Sequence, residues 1–272
     1  MVFGAVLRRM ADRRGLEINE LTRRSGVAES EMQAVLKGAL PQRPFLENMA
    51  PTLGLHAADL FVMAQVVVPE DLAPLDARAG RFIPRIVDLV TRLSLDDISP
   101  IVQHVKILPQ DGRKISVSSP RLPQNYGSGP GGALIRLLAN RNLDLRGSAH
   151  LLAAVTSTYL SATTYGQIGR DLEVLDGDRL AAFAAALGID FCDLVALHGT
   201  TPSPTHFQVN PKATKVAELV WELRRLSADQ IEELYHRLRV AQQGQEGGND
   251  RLQRNGAGQI AETAGGCPGR GT

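Results

Sequence analysis

Apolar residues recur every three to four positions along most of the chain, which is the spacing of one buried face of an α-helix. Within residues 1–66 this pattern predicts five short helices, and Gly15, Gly26 and Gly38 follow the first three of them as helix stops. The predicted second to fifth helices cover Ile18–Ser25, Glu29–Lys37, Phe45–Leu53 and Ala57–Val66. Residues 1–66 are therefore predicted to form a five-helix domain.

The pattern returns once, about 134 residues later along the chain. Leu53-Gly54-Leu55 corresponds to Leu187-Gly188-Ile189, and Asp59-Leu60 corresponds to Asp193-Leu194. A near-constant offset over several identities indicates a duplicated unit. Residues 132–199 are therefore predicted to form a second, diverged five-helix domain, with its third helix over Ser157–Tyr165.

Each five-helix unit is followed by a predicted helical hairpin, over residues 81–108 and 212–241. Ser94 precedes Asp97 by three residues, and Ser227 precedes Gln230 in the same way, as in capping boxes that begin a helix. Residues 109–131 are rich in Gly, Pro and Ser and are predicted to be a flexible linker. Residues 242–272 are predicted to be a disordered tail. The expected fold class is all-α.

Composition excludes several classes of protein. The 272 residues carry 30 Lys and Arg against 29 Asp and Glu, a net charge of +1, which is unlike a strongly basic histone-type binder. The two cysteines, Cys192 and Cys267, are too few for a secreted disulfide framework. The longest apolar runs fall far short of the ~20 residues that span a bilayer, and no signal-peptide pattern is visible. We expect a cytoplasmic protein without a membrane partner.

The residue types that carry catalysis or bind metal are scattered. Cys192 lies near His198 and His206, but the three lack the spacing of a metal site. The glycine-rich stretch 127–132 is not followed by the Lys-Ser/Thr of a phosphate loop. We expect no enzyme activity and no cofactor, and we interpret Trp221 as a hairpin or dimer contact.

Three segments of the first unit together carry a family resemblance. They are Ile18-Asn-Glu-Leu-Thr-Arg-Arg-Ser-Gly26, then Met32 to Gly38, then Leu53-Gly-Leu with Asp59-Leu-Phe61. This order resembles the Cro/C1-type (XRE family) helix-turn-helix domain of phage and bacterial repressors. The resemblance covers residues 4–61 and, more weakly, 132–195, and it departs from the family at Thr22, where Ala is usual.

The resemblance implies two lambda-repressor-like domains in a transcriptional regulator that binds double-stranded DNA sequence-specifically. Helix three of such a domain lies in the major groove, and flanking groups contact phosphates. By the family pattern, the base-facing residues are Glu29, Ser30 and Ala34, with Gln33 at the helix edge, and in the second unit Ser157, Thr158 and Ala162. The implied phosphate contacts are Lys37 and Arg43 in the first unit, and Tyr165 and Arg170 in the second.

Charge separates the two units. Residues 1–64 hold 8 basic and 7 acidic residues, whereas residues 132–198 hold 5 Arg against 6 Asp and 1 Glu. Cations supply most of the affinity for DNA, so the first unit is the better candidate. The carboxylates of Glu29 and Glu31, however, repel DNA phosphates. The alternative is a protein–protein interaction module in which one or both units have lost DNA binding.

Two arrangements of the units on DNA follow from the sequence. The linker could let one chain present both units to half-sites about 34 Å apart, as a covalent pseudo-dimer. Alternatively, the hairpins could pair two chains into a homodimer through Ile98 and Val102, or through Leu234 and Leu238.

Overall fold

The structure, a computed structural model, describes residues 2–113, 126–199 and 208–243. Within these ranges the ordered elements are helices, together with one isolated antiparallel bridge between Thr156 and Val209. The expected all-α class is therefore confirmed. The first unit contains α1 (Phe3–Arg13), α2 (Ile18–Ser25), α3 (Glu29–Leu36), α4 (Arg43–Thr52) and α5 (Ala57–Met63). Two 3-10 turns, Glu70–Leu72 and Ala77–Arg81, lead to the first hairpin, which consists of α6 (Ile83–Arg92) and α7 (Leu95–Ile107).

The second half of the chain repeats this order. Its unit contains α8 (Pro130–Ala139), α9 (Leu145–Val155), α10 (Ala162–Gly169), α11 (Gly177–Leu187) and α12 (Phe191–His198). The second hairpin consists of α13 (Ala213–Leu223) and a helix over residues 228–243, here α14. The second predicted capping box is present, because the Ser227 hydroxyl accepts from the Gln230 N–H at 3.4 Å and the Gln230 side-chain oxygen accepts from the Ser227 N–H at 3.0 Å. In the first, the Ser94 hydroxyl accepts from the Asp97 N–H at 3.2 Å, but the Asp97 carboxylate accepts from the Ser94 hydroxyl rather than from its N–H.

The third helix of the second unit was predicted in the wrong place. It covers Ala162–Gly169 rather than Ser157–Tyr165, because α9 continues to Val155 and residues 156–161 form a longer connection. The start of α10 is fixed by the Ser161 hydroxyl, which accepts from the Thr164 N–H at 3.2 Å. The second unit therefore carries an insertion between its second and third helices.

In both units, helix one passes so close to helix three that only glycine fits at the contact. A Cβ atom on Gly4 would collide with the Val35 carbonyl, and one on Gly131 would collide with the Ile168 carbonyl. Gly4 and Gly131 are 127 positions apart, whereas Val35 and Ile168 are 133 apart. The difference of six residues equals the insertion between α9 and α10. Equivalent residues before and after this insertion therefore pack in the same way in both units.

The two units pack directly against each other. Helix α1 lies on α12 and helix α5 lies on α8, so helix one of each unit contacts helix five of the other. Buried apolar residues of both units and both hairpins belong to one continuous core. This arrangement has the pattern of a twofold axis relating two copies, in which equivalent surfaces exchange contacts.

The exchanged contacts include two ion pairs. Arg14, at the end of α1, pairs with Asp193 on α12, and Arg141, just after α8, pairs with Asp59 on α5 at 2.9 Å. Asp59 and Asp193 are equivalent positions, 134 residues apart. We call these two pairs the reciprocal Arg–Asp contacts. They join the units at two related places.

Each of these arginines also holds the end of a helix in its own unit. Arg14 donates to the Leu53 carbonyl at 2.9 Å, and Arg141 donates to the equivalent Leu187 carbonyl at 2.6 Å. The Arg141 and Asp59 side chains are completely buried, whereas the Arg14 side chain is 24% exposed. The two contacts therefore join equivalent residues, but water reaches the Arg14 side chain and does not reach Arg141.

The second hairpin connects to this centre through Trp221. The Trp221 ring stacks on His56 with centroids 3.6 Å apart, and the Arg224 guanidinium lies 4.2 Å from the ring centroid. Arg224 also donates to the Asn140 side-chain oxygen at 2.7 Å, and the Asn140 amide donates to Asp59 at 2.9 Å. Trp221 thus joins the second hairpin to the first unit, a partner that the expected hairpin or dimer contact did not include.

The hairpins pack mainly on each other and on the second unit. Helix α7 packs on α13, α6 on α9, and α13 on α11. As a result Ile98, Val102 and Leu234 are buried inside the chain, and Leu238 is half-buried. The expectation that these four residues pair two chains is wrong for the three buried ones, because the intramolecular core already covers them.

The predicted linker 109–131 is held at both of its described ends. Arg113 donates to the carbonyls of Pro74 and Glu70 at 3.0 and 2.6 Å, and the Gly131 N–H donates to Asp171 at 2.8 Å. Pro130 and Gly131 already belong to α8. Residues 114–125 of the predicted linker and residues 244–272 of the predicted tail lie outside the described residues.

Candidate nucleic-acid interface

Helix α3 is attached to the first unit by one narrow face. Met32 and Val35 are buried and face the core, and Leu36 is half-buried. The helix starts after Ala28 without a side-chain cap, and Glu29 and Glu31 in its first turn compensate through their interaction with the helix dipole. The opposite face of α3 is therefore left to solvent.

All residues predicted to contact DNA from α3 lie on that open face. They are Glu29, Ser30, Gln33, Ala34 and Lys37, and every one of them is exposed. Their positions, i, i+1, i+4, i+5 and i+8, follow one side of a helix for two turns. Lys37 closes the helix, and no carboxylate among the described residues pairs with its ammonium group. We call these five residues the α3 face.

Arg43, the other predicted phosphate contact of the first unit, is exposed but engaged. Its guanidinium pairs with Asp71 at 2.6 Å and with Glu47 at 2.8 Å. The hydrogen bonds that Arg43 donates to Asp71 and to Glu47 raise the pKa of Arg43, and the same contact with Arg43 lowers the pKa of Asp71. A phosphate would have to replace these two carboxylates, and because exposed ion pairs are worth at most about 1 kcal/mol, the exchange is affordable.

The arginines of α2 are also paired with a carboxylate. Arg23 and Arg24 both contact Glu20 at 2.6 Å, and their hydrogen bonds lower the pKa of Glu20. Residues 17–43, which include α2 and α3, hold four basic and four acidic side chains. The surface around α3 is therefore electrically balanced rather than a positive stripe.

The second unit places its predicted contacts differently. Ser157 and Thr158 lie in the connection before α10 rather than on a helix, and Ala162 is the first residue of α10. Tyr165 is fully buried and its hydroxyl donates to the Ser148 carbonyl at 3.2 Å, while burial raises its pKa. Tyr165 therefore cannot approach a phosphate, and assigning it that role was wrong. Ser157 and Arg170, the latter at the end of α10, are exposed as expected, whereas Thr158 and Ala162 are half-buried.

The second unit has a counterpart of the α3 face, of which Arg170 was predicted as a contact and Thr163 and Gln167 were not. At an offset of 133, Ser30 corresponds to Thr163, Ala34 to Gln167 and Lys37 to Arg170, and all three counterparts are exposed. The offset of 133 between Leu93-Ser94 and Leu226-Ser227, together with the capping pattern at Ser161, would have located this helix. The second unit thus has an exposed helix three with hydroxyl and amide side chains and one cation.

Comparison of this chain with protein-family models, with curated proteins and with solved structures found no match. In the three described ranges, no group of three or more His, Cys, Asp or Glu side chains is arranged to hold a metal ion. His206, part of the weak metal pattern considered above, lies outside these ranges. None of the described helices is long and apolar enough to cross a bilayer.

Proposed function

We propose that the protein binds double-stranded DNA sequence-specifically through the first unit, as a transcriptional regulator of the helix-turn-helix kind. The observation that carries the proposal is the α3 face, two helical turns of exposed side chains on a helix whose other side is buried. A helix presented in this way fits the major groove, which is about 12 Å wide. The short α2 and α3, joined by a turn through Gly26, support the same interpretation.

The α3 face offers a limited set of base contacts. Gln33 is the residue type that pairs with adenine, and Glu29 can accept a hydrogen bond from cytosine. Ser30 can contact either kind of base, and Ala34 can contact a thymine methyl group. Each good bidentate contact discriminates by about 1–3 kcal/mol, so we expect moderate specificity centred on Gln33.

Phosphate contacts are few in the first unit. Lys37 has no competing carboxylate among the described residues. Arg43 becomes available when a phosphate replaces Glu47 and Asp71 as its partner. Two phosphate contacts give a slope of about −2 for log affinity against log salt, because each contributes about −0.9. We therefore propose that the second unit and the hairpins act mainly as the rigid support of the first unit.

The test measures binding of the full chain to a duplex selected from random sequence, followed by fluorescence anisotropy at several salt concentrations. Gln33→Ala is expected to relax base preference at one position, and Lys37→Glu to weaken binding to all sequences alike. Arg85→Glu on α6 is the matched control, because Arg85 is an exposed arginine that lies outside the first unit. If wild type fails to bind any selected duplex at about 50 mM salt, or if Lys37→Glu and Arg85→Glu weaken binding equally, this proposal is wrong.

A protein–protein interaction module remains the second candidate, and a specific observation favours it. Glu29 and Glu31 occupy the first turn of α3, and the two arginines of α2 share an ion pair with Glu20. Glu29→Gln separates the two proposals. It should strengthen DNA binding by removing a charge that repels phosphate, whereas it should weaken binding of a basic protein partner to the same face.

A further inference from the structure

A cavity of about 410 Å³ lies where the first unit meets the second. Its walls are the end of α5 and the following residues 66–68, the turn at Pro74, one side of α8, and residues 126–128. Most of this lining is aliphatic, and its one charged side chain is Arg136 on α8. Cavities of this size and character are typical of small-molecule sites.

The twofold pattern of the fold explains why the cavity is there. Arg9 on α1 and Arg136 on α8 are equivalent positions, 127 residues apart, like Arg14 and Arg141. Arg9 reaches across to α12, where its Nε donates to the Ala196 carbonyl at 2.6 Å. Its guanidinium also lies 3.6 Å from the position of a Cβ built on Gly199, just past the end of α12. In that half, the arginine fills the space beside helix five.

Arg136 does not make the corresponding contact. The residue equivalent to Ala196 is Val62 on α5, which lines the cavity. The Arg136 Nη1 atom instead donates to the Gly127 carbonyl at 3.2 Å, within its own unit. The space that Arg9 occupies in one half is therefore open in the other, with a guanidinium at its edge.

The state of Arg136 indicates what the cavity can hold. Burial lowers the pKa of Arg136, and the charge of Asp171 opposes this only from a distance. No carboxylate in the described residues lies within ion-pair range of its guanidinium. A guanidinium has five N–H donors in a planar fork that matches a carboxylate, and Arg136 uses one atom of the fork on Gly127.

We propose that this cavity binds a small amphipathic carboxylic acid, with its carboxylate on Arg136 and its hydrocarbon part against Val62, Val66 and Pro74. The carboxylate would supply the opposite charge that the half-buried guanidinium lacks. Contact with these aliphatic side chains would remove the hydrocarbon part from water, which favours binding. The proposal does not depend on DNA binding, because it rests on the contact between the units alone.

The probe for the test is octanoate, titrated into the full chain by isothermal calorimetry, with 1-octanol and octylammonium as neutral and cationic comparators. We expect saturable binding of octanoate at one site per chain and no binding of octylammonium. Arg136→Met keeps an unbranched apolar side chain in place of the arginine stem and removes the guanidinium, and it should weaken octanoate binding about ten- to hundredfold. Arg9→Met, the equivalent change outside the cavity, should leave octanoate affinity unchanged.

A second variant protects the test against a folding defect in Arg136→Met. Val66 is half-buried at the cavity wall, so Val66→Trp should fill the cavity and abolish binding while circular dichroism shows the native helix content. The proposal is overturned if octanoate shows no saturable binding in the millimolar range. It is equally overturned if octanol binds as tightly as octanoate, or if binding survives Val66→Trp.

Discussion

The buried member of the reciprocal Arg–Asp contacts allows a sharp prediction about stability. In Asp59→Asn the side chain keeps its shape and loses its charge. The Asp59 carboxylate accepts three hydrogen bonds, from the two Arg141 Nη atoms and from the Asn140 amide, each at 2.9 Å. Both charged side chains are completely buried, so water cannot replace the carboxylate. Breaking a buried pair from one side costs about 3–5 kcal/mol, and we expect Asp59→Asn to lie in that range.

The equivalent change in the other half is the matched control. Asp193→Asn removes the partner of Arg14, whose side chain is 24% exposed, so water can solvate the guanidinium that remains. We expect a loss of about 1–2 kcal/mol, between the values for surface and buried pairs. The two substitutions are chemically identical, and the sites differ in burial and in the one further hydrogen bond that Asp59 accepts from Asn140.

Urea unfolding followed by circular dichroism measures both losses, since the midpoint and slope give the free energy of unfolding. The double variant Asp59→Leu with Arg141→Met should recover most of the stability, because no unpaired charge is left. If Asp59→Asn costs no more than Asp193→Asn, burial does not control the strength of these pairs and our reasoning is refuted.

Two further predictions concern packing and pH. Gly4→Ala should lower the free energy of unfolding by about 1–3 kcal/mol, because the new methyl group meets the Val35 carbonyl. The control Ala5→Ser, at the exposed neighbouring position, should cost less than about 0.5 kcal/mol. Equal urea midpoints for the two variants would contradict the close contact. Desolvation by burial against Trp221 lowers the pKa of His56 below its ordinary value of 6.5, despite the nearby Asp59. His56 therefore takes up its proton at a higher pH in the unfolded chain than in the folded protein. The free energy of unfolding should fall as the pH falls below about 6.5. His56→Phe keeps the stack and should show a shallower loss between pH 7 and 5, and identical pH profiles would exclude this role for His56.

Local patterns predicted the first unit well. The turn glycines and the apolar spacing place α2 at its observed bounds, Ile18–Ser25, and α3 within one residue of its observed end at Leu36. The residues of the α3 face were named from the resemblance to the Cro/C1-type domain, and they lie on the side of α3 opposite the buried Met32 and Val35. Local signals suffice where a helix is short and its cap and stop are encoded by adjacent residues.

Longer-range features were beyond the sequence pattern. Tyr165 was assigned to a phosphate because the second helix three was placed with one inserted residue before it, whereas the structure shows six. A shift of about five positions moves a residue to another side of a helix. Arg14 and Asp193 are 179 positions apart, and nothing in periodicity pairs an apparently exposed arginine with a distant aspartate. The equal spacing of the repeats relates Arg14 to Arg141 and Asp193 to Asp59. It identifies the ion pairs once the fold shows which helices contact each other.

The exchange of contacts between the units has a consequence for synthesis of the chain. Helix α1 is synthesised well before α12, the helix that covers it. Asp193 on α12 follows its partner Arg14 by 179 residues. At about 5–20 residues per second, the face of α1 that α12 covers stays uncovered for about 10–35 s after it leaves the ribosome. The first unit must therefore pass through a long interval with its apolar surface open, during which chaperone binding competes with the arrival of its second half.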